Sequence, residues 1–222
     1  MNEVKPQTRM QRIGYREPTD ATEPDQLVLV EYVSDGRIAI ITLNRPHADN
    51  AITTGLAAQL IEVLETIAAR VAVRVAISTD FIVASDDAVF GQPEAMVGLS
   101  AGGGSPVLLP RVLPPGKAMQ MLMTGEPITA KEAHRLGMVN ELHPKAELMD
   151  AVLGIAEKIV ANSPTAVQAV KHAVQMGQGE PVEQAVAIMM DEHWRSVVHP
   201  DRVEGILAFN ENREPEYVDP DF

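Results

Sequence analysis

The sequence predicts an α/β core followed by an all-helical C-terminal layer. Three observations predict it: an alternating hairpin near the start, a switch to helical period after Leu43, and a run of helical stripes from Glu147 onward whose starts are marked by prolines.

Residues 1–26 carry few aliphatics among charges, Pro and Thr, so they bury too little area to offset the entropy of ordering and are expected to form a mobile arm. "LVLVEYV" and "RIAIITL" flank Ser34-Asp35-Gly36, and Asp-Gly supplies the turn a hairpin needs. Leu56, Leu60, Ile61, Leu64 and Ile67 then recur at helical spacing, with Thr53 or Thr54 as the cap and an end near Arg70. A short helix is expected from about Lys117 to Met123, stopped by Gly125 in the left-handed conformation. A second follows, with Thr129 as cap, Glu132 as its capping-box partner and Gly137 as terminator, leaving by a strand-like Met138–Leu142. Beyond Glu147 the stripes run through Leu148, Val152, Ile155 and Ile159, then Ala166, Val170 and Val174, then Val186, Ile188 and Met189; Pro164, Pro181 and Pro200 mark starts. The expected division is therefore an arm over 1–26, a core over 27–145 and a helical region over 146–222.

Bulk composition bounds the function. The 222 residues are 45% hydrophobic and 22% charged, an ordinary globular balance, and contain no Cys, which removes disulfides, thiolate metal ligands and a thiol nucleophile. A formal charge of -13 argues against a non-specific nucleic-acid binder, which needs a basic stripe to displace counterions, but leaves room for a local basic pocket. No start-proximal apolar run resembles a signal peptide and no apolar stretch reaches the ~18 residues of a membrane helix, so the expected address is the cytoplasm, with neither nucleic acid nor membrane as partner.

The densest chemical signal is "FGQPEAMVGLSAGGGSP", residues 90–106. Gly102, Gly103 and Gly104 let backbone approach a ligand closely or surround an anion with amide hydrogens; the alternative is a tight loop between packed elements. The run matches neither the phosphate-binding loop nor the dinucleotide fingerprint. Glu94 follows Pro93 among Phe90, Ala95, Met96, Val97 and Leu99, where lost hydration would raise its pKa toward the range useful for proton transfer; the competing reading is a solvated loop carboxylate. His134, His143, His172, His193 and His199 lack metal-ligand spacing, so no metal is expected, and His47 lies in a Pro-bounded loop. Ser78, Ser85 and Ser105 lie outside any nucleophile turn of a hydrolase. The Met-rich "KAMQMLM" is expected to pack a core or a subunit contact.

Taken together, "ITLNRPHADNAI", "DFIVASDDAVFGQPEAMVGL", "GGGSPVLLPR", "MLMTGEPITAKEAHRLGMVNEL", "ANSPTAVQAVKHAV" and "DRVEGILAFNENREPEY" resemble the enoyl-CoA hydratase/isomerase family, the crotonases, from about residue 27 to 217 and in the family's order. The resemblance implies a core of repeated ββα units and a helical C-terminal region that mediates trimer formation, often as a dimer of trimers. It implies acyl-CoA thioester substrates, with CoA as part of the substrate and no separate cofactor, and an oxyanion hole of two backbone amides that stabilises a thioester enolate. Glu94 matches the second of the two catalytic glutamates of hydratases, which is the lone proton-shuttling carboxylate of some family isomerases. Gly98 and Gly102 to Gly104 match the loop behind the acyl chain, with Ala101 in place of the usual Pro and Ser105-Pro106 in place of a Gly-Thr pair. His47 and Ala48 match a segment that helps hold the CoA nucleotide. In "FNENREP", Asn212 removes a positive charge from the usual Glu-Lys-Arg pattern and Arg213 keeps one.

The same resemblance exposes a gap. Between the helix of 54–69 and "DFIVAS" the family has a long insert that supplies both oxyanion amides, and "RVAV" and "RVAISTD" read as its two edges butted together near residues 70–74. Either an internal segment has dropped out of the sequence or the chain carries a true deletion; losing central strands outright is a defect far larger than the roughly 5–15 kcal/mol of stability a domain has. Counted back from Asp80, Arg74 stands where a hydratase has its first catalytic glutamate, which disfavours ordinary hydration by two carboxylates and one water. The alternative is that Arg74 points outward from a helix one residue out of register. The implied function is an acyl-CoA-processing enzyme of the hydratase/isomerase type; the alternatives are a catalytically silent acyl-CoA-binding or assembly protein, or a hydrolase or decarboxylase on the same scaffold.

Overall fold

The computed structural model describes residues 26–34, 37–46, 54–67, 79–102 and 104–218, with the side chains of 54 and 64–67 outside that description. The arm of 1–26 apart from Gln26, the Asp35-Gly36 turn, His47, Ala48, Thr53, the junction at 70–74 with Arg74, and Gly103 lie outside the described residues. The chain divides into two compact units, one ending at Val152 and one beginning at Leu153.

The first unit opens with the hairpin expected from the alternation. Strands β1 (Val28–Val33) and β2 (Ile38–Leu43) pair antiparallel, Val28 opposite Leu43 and Val33 opposite Ile38, and Arg37 N donates to Ser34 O at 3.1 Å to close the turn. Helix α1 (Thr54–Ile67) covers one end of it. Leu56 and Leu60 bury with Leu27 and Val28, and Gln59 Oε1 accepts from Leu27 N at 2.7 Å. Ile61, expected on the apolar stripe, is exposed; among the described residues a two-stranded sheet receives this helix and its buried face is narrow. Along β1 only Val28 is buried, and Leu29, Val30 and Tyr32 are exposed.

The rest of this unit is built on short strands: β3 (Val83–Ser85), β4 (Val89–Phe90), β5 (Ile128–Thr129) and β6 (Glu141–His143). Strands β3 and β6 run parallel, Ala84 opposite Leu142, while β4 and β5 run antiparallel, Phe90 opposite Ile128. Helices α2 (Ser105–Val112), α3 (Pro115–Thr124) and α4 (Ala130–Arg135) supply Leu109, Ala118, Met121, Ala130 and Ala133 to one core with Ala84, Leu113, Ile128, Met138 and Val139. Met121 is the inward member of the Met-rich run, and Met119 and Met123 face outward.

Two sequence expectations are corrected here, and one helix is added. Helix α2 was not anticipated: Pro106 fits a first turn that needs no amide donor, but Pro110 inside it masks the helical period. Thr129 caps α4 as expected, its Oγ accepting from Glu132 N at 3.2 Å, yet the Glu132 carboxylate does not complete a capping box; it turns outward to Arg135, with two bonds of 2.8 Å. The exit strand begins at Glu141 rather than Met138, because Met138 and Val139 are drawn into the core and their amides donate to Ala133 O.

The second unit is helical as expected. Helix α5 (Leu148–Val160) runs across the boundary, and α6 (Pro164–Gly177), α7 (Val182–Val197) and α8 (Pro200–Glu211) follow. Helices α6 and α7 pack on one another, and Tyr217 of the C-terminal segment lies over Gly205 of α8. Val170, Val174, Val186 and Met189 of the expected stripes are exposed, together with Trp194 and Phe209.

Candidate functional site

Glu94 sits on a 3-10 turn, Pro93–Val97, directly after β4. Pro93 fixes the first helical φ and keeps Gln92 out of the helical region, at φ -134° and ψ 79°, so the chain leaves the strand and turns at once. Gly98, at φ 80°, ends the turn in the left-handed region, and Leu99 N donates back to Glu94 O at 3.1 Å. The turn is seated on the C-terminus of α3, where Gly125 adopts φ 73° and its missing side chain admits Met96 and Pro93.

The Glu94 carboxylate is half-buried and has a polar partner from its own segment. A carboxylate only accepts, so the Gln92 amide turns its nitrogen toward it, with Nε2 3.2 and 3.3 Å from the two oxygens. The amide also meets Ser105 Oγ at 3.1 Å, and Ser105, at the first position of α2, is only 6% exposed. The apolar enclosure expected around Glu94 is not built from its sequence neighbours: Val97 and Leu99 are 55% and 65% exposed, because the left-handed turn at Gly98 carries them outward. The structure thus provides a carboxylate on a fixed turn, oriented by an amide and open on one side.

Of the matched glycines, Gly98 is required by its positive φ, and a Cβ there would meet nothing within 4 Å. Gly102 has ordinary φ and equally open surroundings, so neither backbone strain nor internal packing demands glycine there. Gly103, His47 and Ala48 lie outside the described residues.

Arg213, in the second unit, follows Asn212, whose φ of 52° makes it the left-handed cap of α8; that is a conformational reason for Asn there. The Arg213 fork is fully engaged. Nη1 and Nη2 donate to Glu204 at 2.5 and 3.0 Å, and Nε donates to Glu211 at 2.7 Å. Arg213, together with an amide hydrogen from Glu216, holds the Glu204 carboxyl down at about 2.

A second polar cluster escaped sequence reasoning. Asp201, 3% exposed, accepts from Ser163 Oγ at 2.5 Å and from Val218 N at 3.1 Å, and His199 Nδ1 lies 3.4 Å from its Oδ2. Ser, His and Asp meet here, but the serine donates straight to the carboxylate and not to the imidazole, so the arrangement ties chain segments together and activates no nucleophile. Ser163 following Asn162 and preceding a Pro-started helix was the available signal for its capping role, and it does accept from Ala166 N. Among the described residues no group of three or more His, Asp or Glu is placed to hold a metal, and no helix is long and apolar enough to cross a membrane.

The chain that carries this geometry has known relatives. The family described as Enoyl-CoA hydratase/isomerase matches residues 72–220. Carnitinyl-CoA dehydratase of Escherichia coli K12 is 40% identical over 144 residues, 63% of this chain and 55% of that protein. The chain thus spans just over half the length of the curated relatives it matches. Among solved structures, an enoyl-CoA hydratase of Mycobacterium marinum is similar with TM-score 0.79 and 30% identity, covering 87% of this chain and 99% of that one. An enoyl-CoA hydratase of Mycobacterium tuberculosis H37Rv gives TM-score 0.80 and 29% identity, with coverage of 86% and 98%. The α/β core with a helical C-terminal region expected from the sequence is thereby borne out as a crotonase-type fold.

Proposed function

Since the chain belongs to the enoyl-CoA hydratase/isomerase family, we propose that it processes acyl-CoA thioesters through a thioester enolate, with Glu94 as the proton-transferring group. The observation that carries this reading is the Glu94 carboxylate on the fixed Pro93–Val97 turn, held by the Gln92 amide and reachable from one side. A general base needs that combination of fixed direction and access.

One carboxylate suffices for double-bond migration. Glu94 takes a proton from C2 of a 3-enoyl thioester, the electron pair moves into the carbonyl oxygen as the enolate forms, and the same proton returns at C4 as the C3–C4 double bond shifts to C2–C3. No water is consumed and no redox partner is needed. With Arg74 in place of a second carboxylate, isomerisation is favoured over hydration. Gly98 and Gly102 are assigned to the acyl group, with open space at both as support, and Gly103 joins them by its motif alone. His47 and Ala48 are assigned to the CoA nucleotide by their motif, and Arg213, a separate assignment, exchanges Glu204 for phosphate if it binds one. CoA arrives as part of the substrate, and neither a metal nor a separate cofactor takes part. The enzyme works in the cytoplasm as a homotrimer or hexamer, a state supported by the exposed Val170, Val174, Val186 and Trp194 of α6 and α7.

The test is product analysis after incubation of the protein with short 2-enoyl- and 3-enoyl-CoA, alongside calorimetry with a saturated acyl-CoA. The reading expects conversion of 3-enoyl- to 2-enoyl-CoA. Binding without any conversion favours a silent acyl-CoA-binding protein, and release of free CoA favours a hydrolase.

A further inference from the structure

We propose that Ser105 is a positioning residue for Glu94, acting through the side chain of Gln92. The inference rests on the reading of Glu94 as the proton-transferring group and adds a device that reading does not contain. The Ser105 hydroxyl is buried, and a buried hydroxyl needs a partner. Its own backbone N–H is already spent on Gly102 O at 3.1 Å, and its Oγ meets the Gln92 amide at 3.1 Å.

The direction of the chain of bonds follows from what each group is able to do. Glu94 only accepts, so Gln92 presents Nε2 to it; Oε1 and Nε2 then both lie 3.1 Å from Ser105 Oγ, and with Nε2 given to the carboxylate the serine O–H is the group able to satisfy Oε1. Gln92 has three side-chain torsions, and a bond at one end of its amide leaves the plane free to swing. Ser105 supplies the second point. It is fixed at the start of α2 behind Gly104 at φ 87°, so the helix anchors the amide and the amide anchors the carboxylate. Without the hydroxyl Gln92 Oε1 loses its donor and Glu94 loses a fixed direction.

Three variants and one spectrum test this. Ser105→Ala is expected to lower kcat for 3-enoyl-CoA isomerisation by about 10- to 100-fold with KM little changed, as a misdirected catalytic group does. Ser105→Thr, which keeps the hydroxyl, is expected to recover most of the loss, and Ser105→Ala is expected to add nothing in a Glu94→Ala background. In the side-chain amide region of a 15N spectrum, the Gln92 protons are expected apart from those of exposed glutamines and to move onto them in Ser105→Ala, a readout that needs no turnover. Gln92 signals unchanged by Ser105→Ala overturn the proposal. So does full kcat in Ser105→Ala while Glu94→Ala is inactive, which leaves the reading of Glu94 standing. Full activity in Glu94→Ala overturns that reading and the proposal with it.

Discussion

Gly125 carries Met96: a Cβ at residue 125 would lie 2.7 Å from Met96 Sδ and 3.3 Å from Pro93 Cα, so the turn that bears Glu94 rests directly on the bare end of α3. Gly125→Ala is therefore expected to cost about 2 kcal/mol, from a non-glycine residue at positive φ and from displacement of Met96. It should also lower kcat more than it raises KM, because the displaced segment carries the carboxylate. Urea unfolding and steady-state kinetics on the same preparation check both effects; unchanged stability would mean the turn does not rest there.

What the sequence made legible was whatever local chemistry decides. The β1–β2 hairpin was readable from Asp35-Gly36, the end of α3 from Gly125 and the start of α4 from Thr129, since each signal lies within a few residues of the structure it sets. Helix α2 was not, because Pro106 and Pro110 hide its period, and the outward swing of Glu132 to Arg135 depends on which of two nearby partners a side chain takes. In the candidate site Glu94 was legible through its motif. Its tie to Ser105 through Gln92 was not, since it exists only after β4, the 3-10 turn and α2 have packed. Arg213 was legible as a charge and not as one already claimed by Glu204 and Glu211.

Asp201 joins the start of α6, the start of α8 and the segment at Val218. Asp201→Ala leaves the Ser163 hydroxyl and the Val218 amide without their acceptor and is expected to cost about 2–3 kcal/mol. Denaturant unfolding measures the loss. Asp201→Asn, which keeps one acceptor oxygen, should lose less, and an equal loss in both would place the effect in charge rather than in the bonds.

The Glu204 carboxyl, held at about 2 by the Arg213 fork and the Glu216 amide, lies below its ordinary value of 4.5. A depressed folded-state value stabilises the fold fully above pH 4.5, and that contribution is lost as pH falls from about 4.5 through about 2. The melting temperature of wild type should drop across this window more steeply than that of Glu204→Gln. Parallel curves would show that the pair contributes nothing.

The junction at 70–74 has a consequence that mass spectrometry reads. The match to carnitinyl-CoA dehydratase takes a smaller share of that protein than of this chain, so the relative is the longer of the two. The natural protein is expected to have an intact mass well above 24.0 kDa, with an internal segment between "RVAV" and "RVAISTD". A mass of 24.0 kDa would establish a true deletion.

The role of Glu94 is tested most directly by the rate of 3-enoyl-CoA isomerisation with Glu94→Gln beside wild type. Removal of a general acid/base is expected to lower kcat by about 10²–10⁴-fold while acyl-CoA still binds. Equal rates in the two proteins would contradict the account.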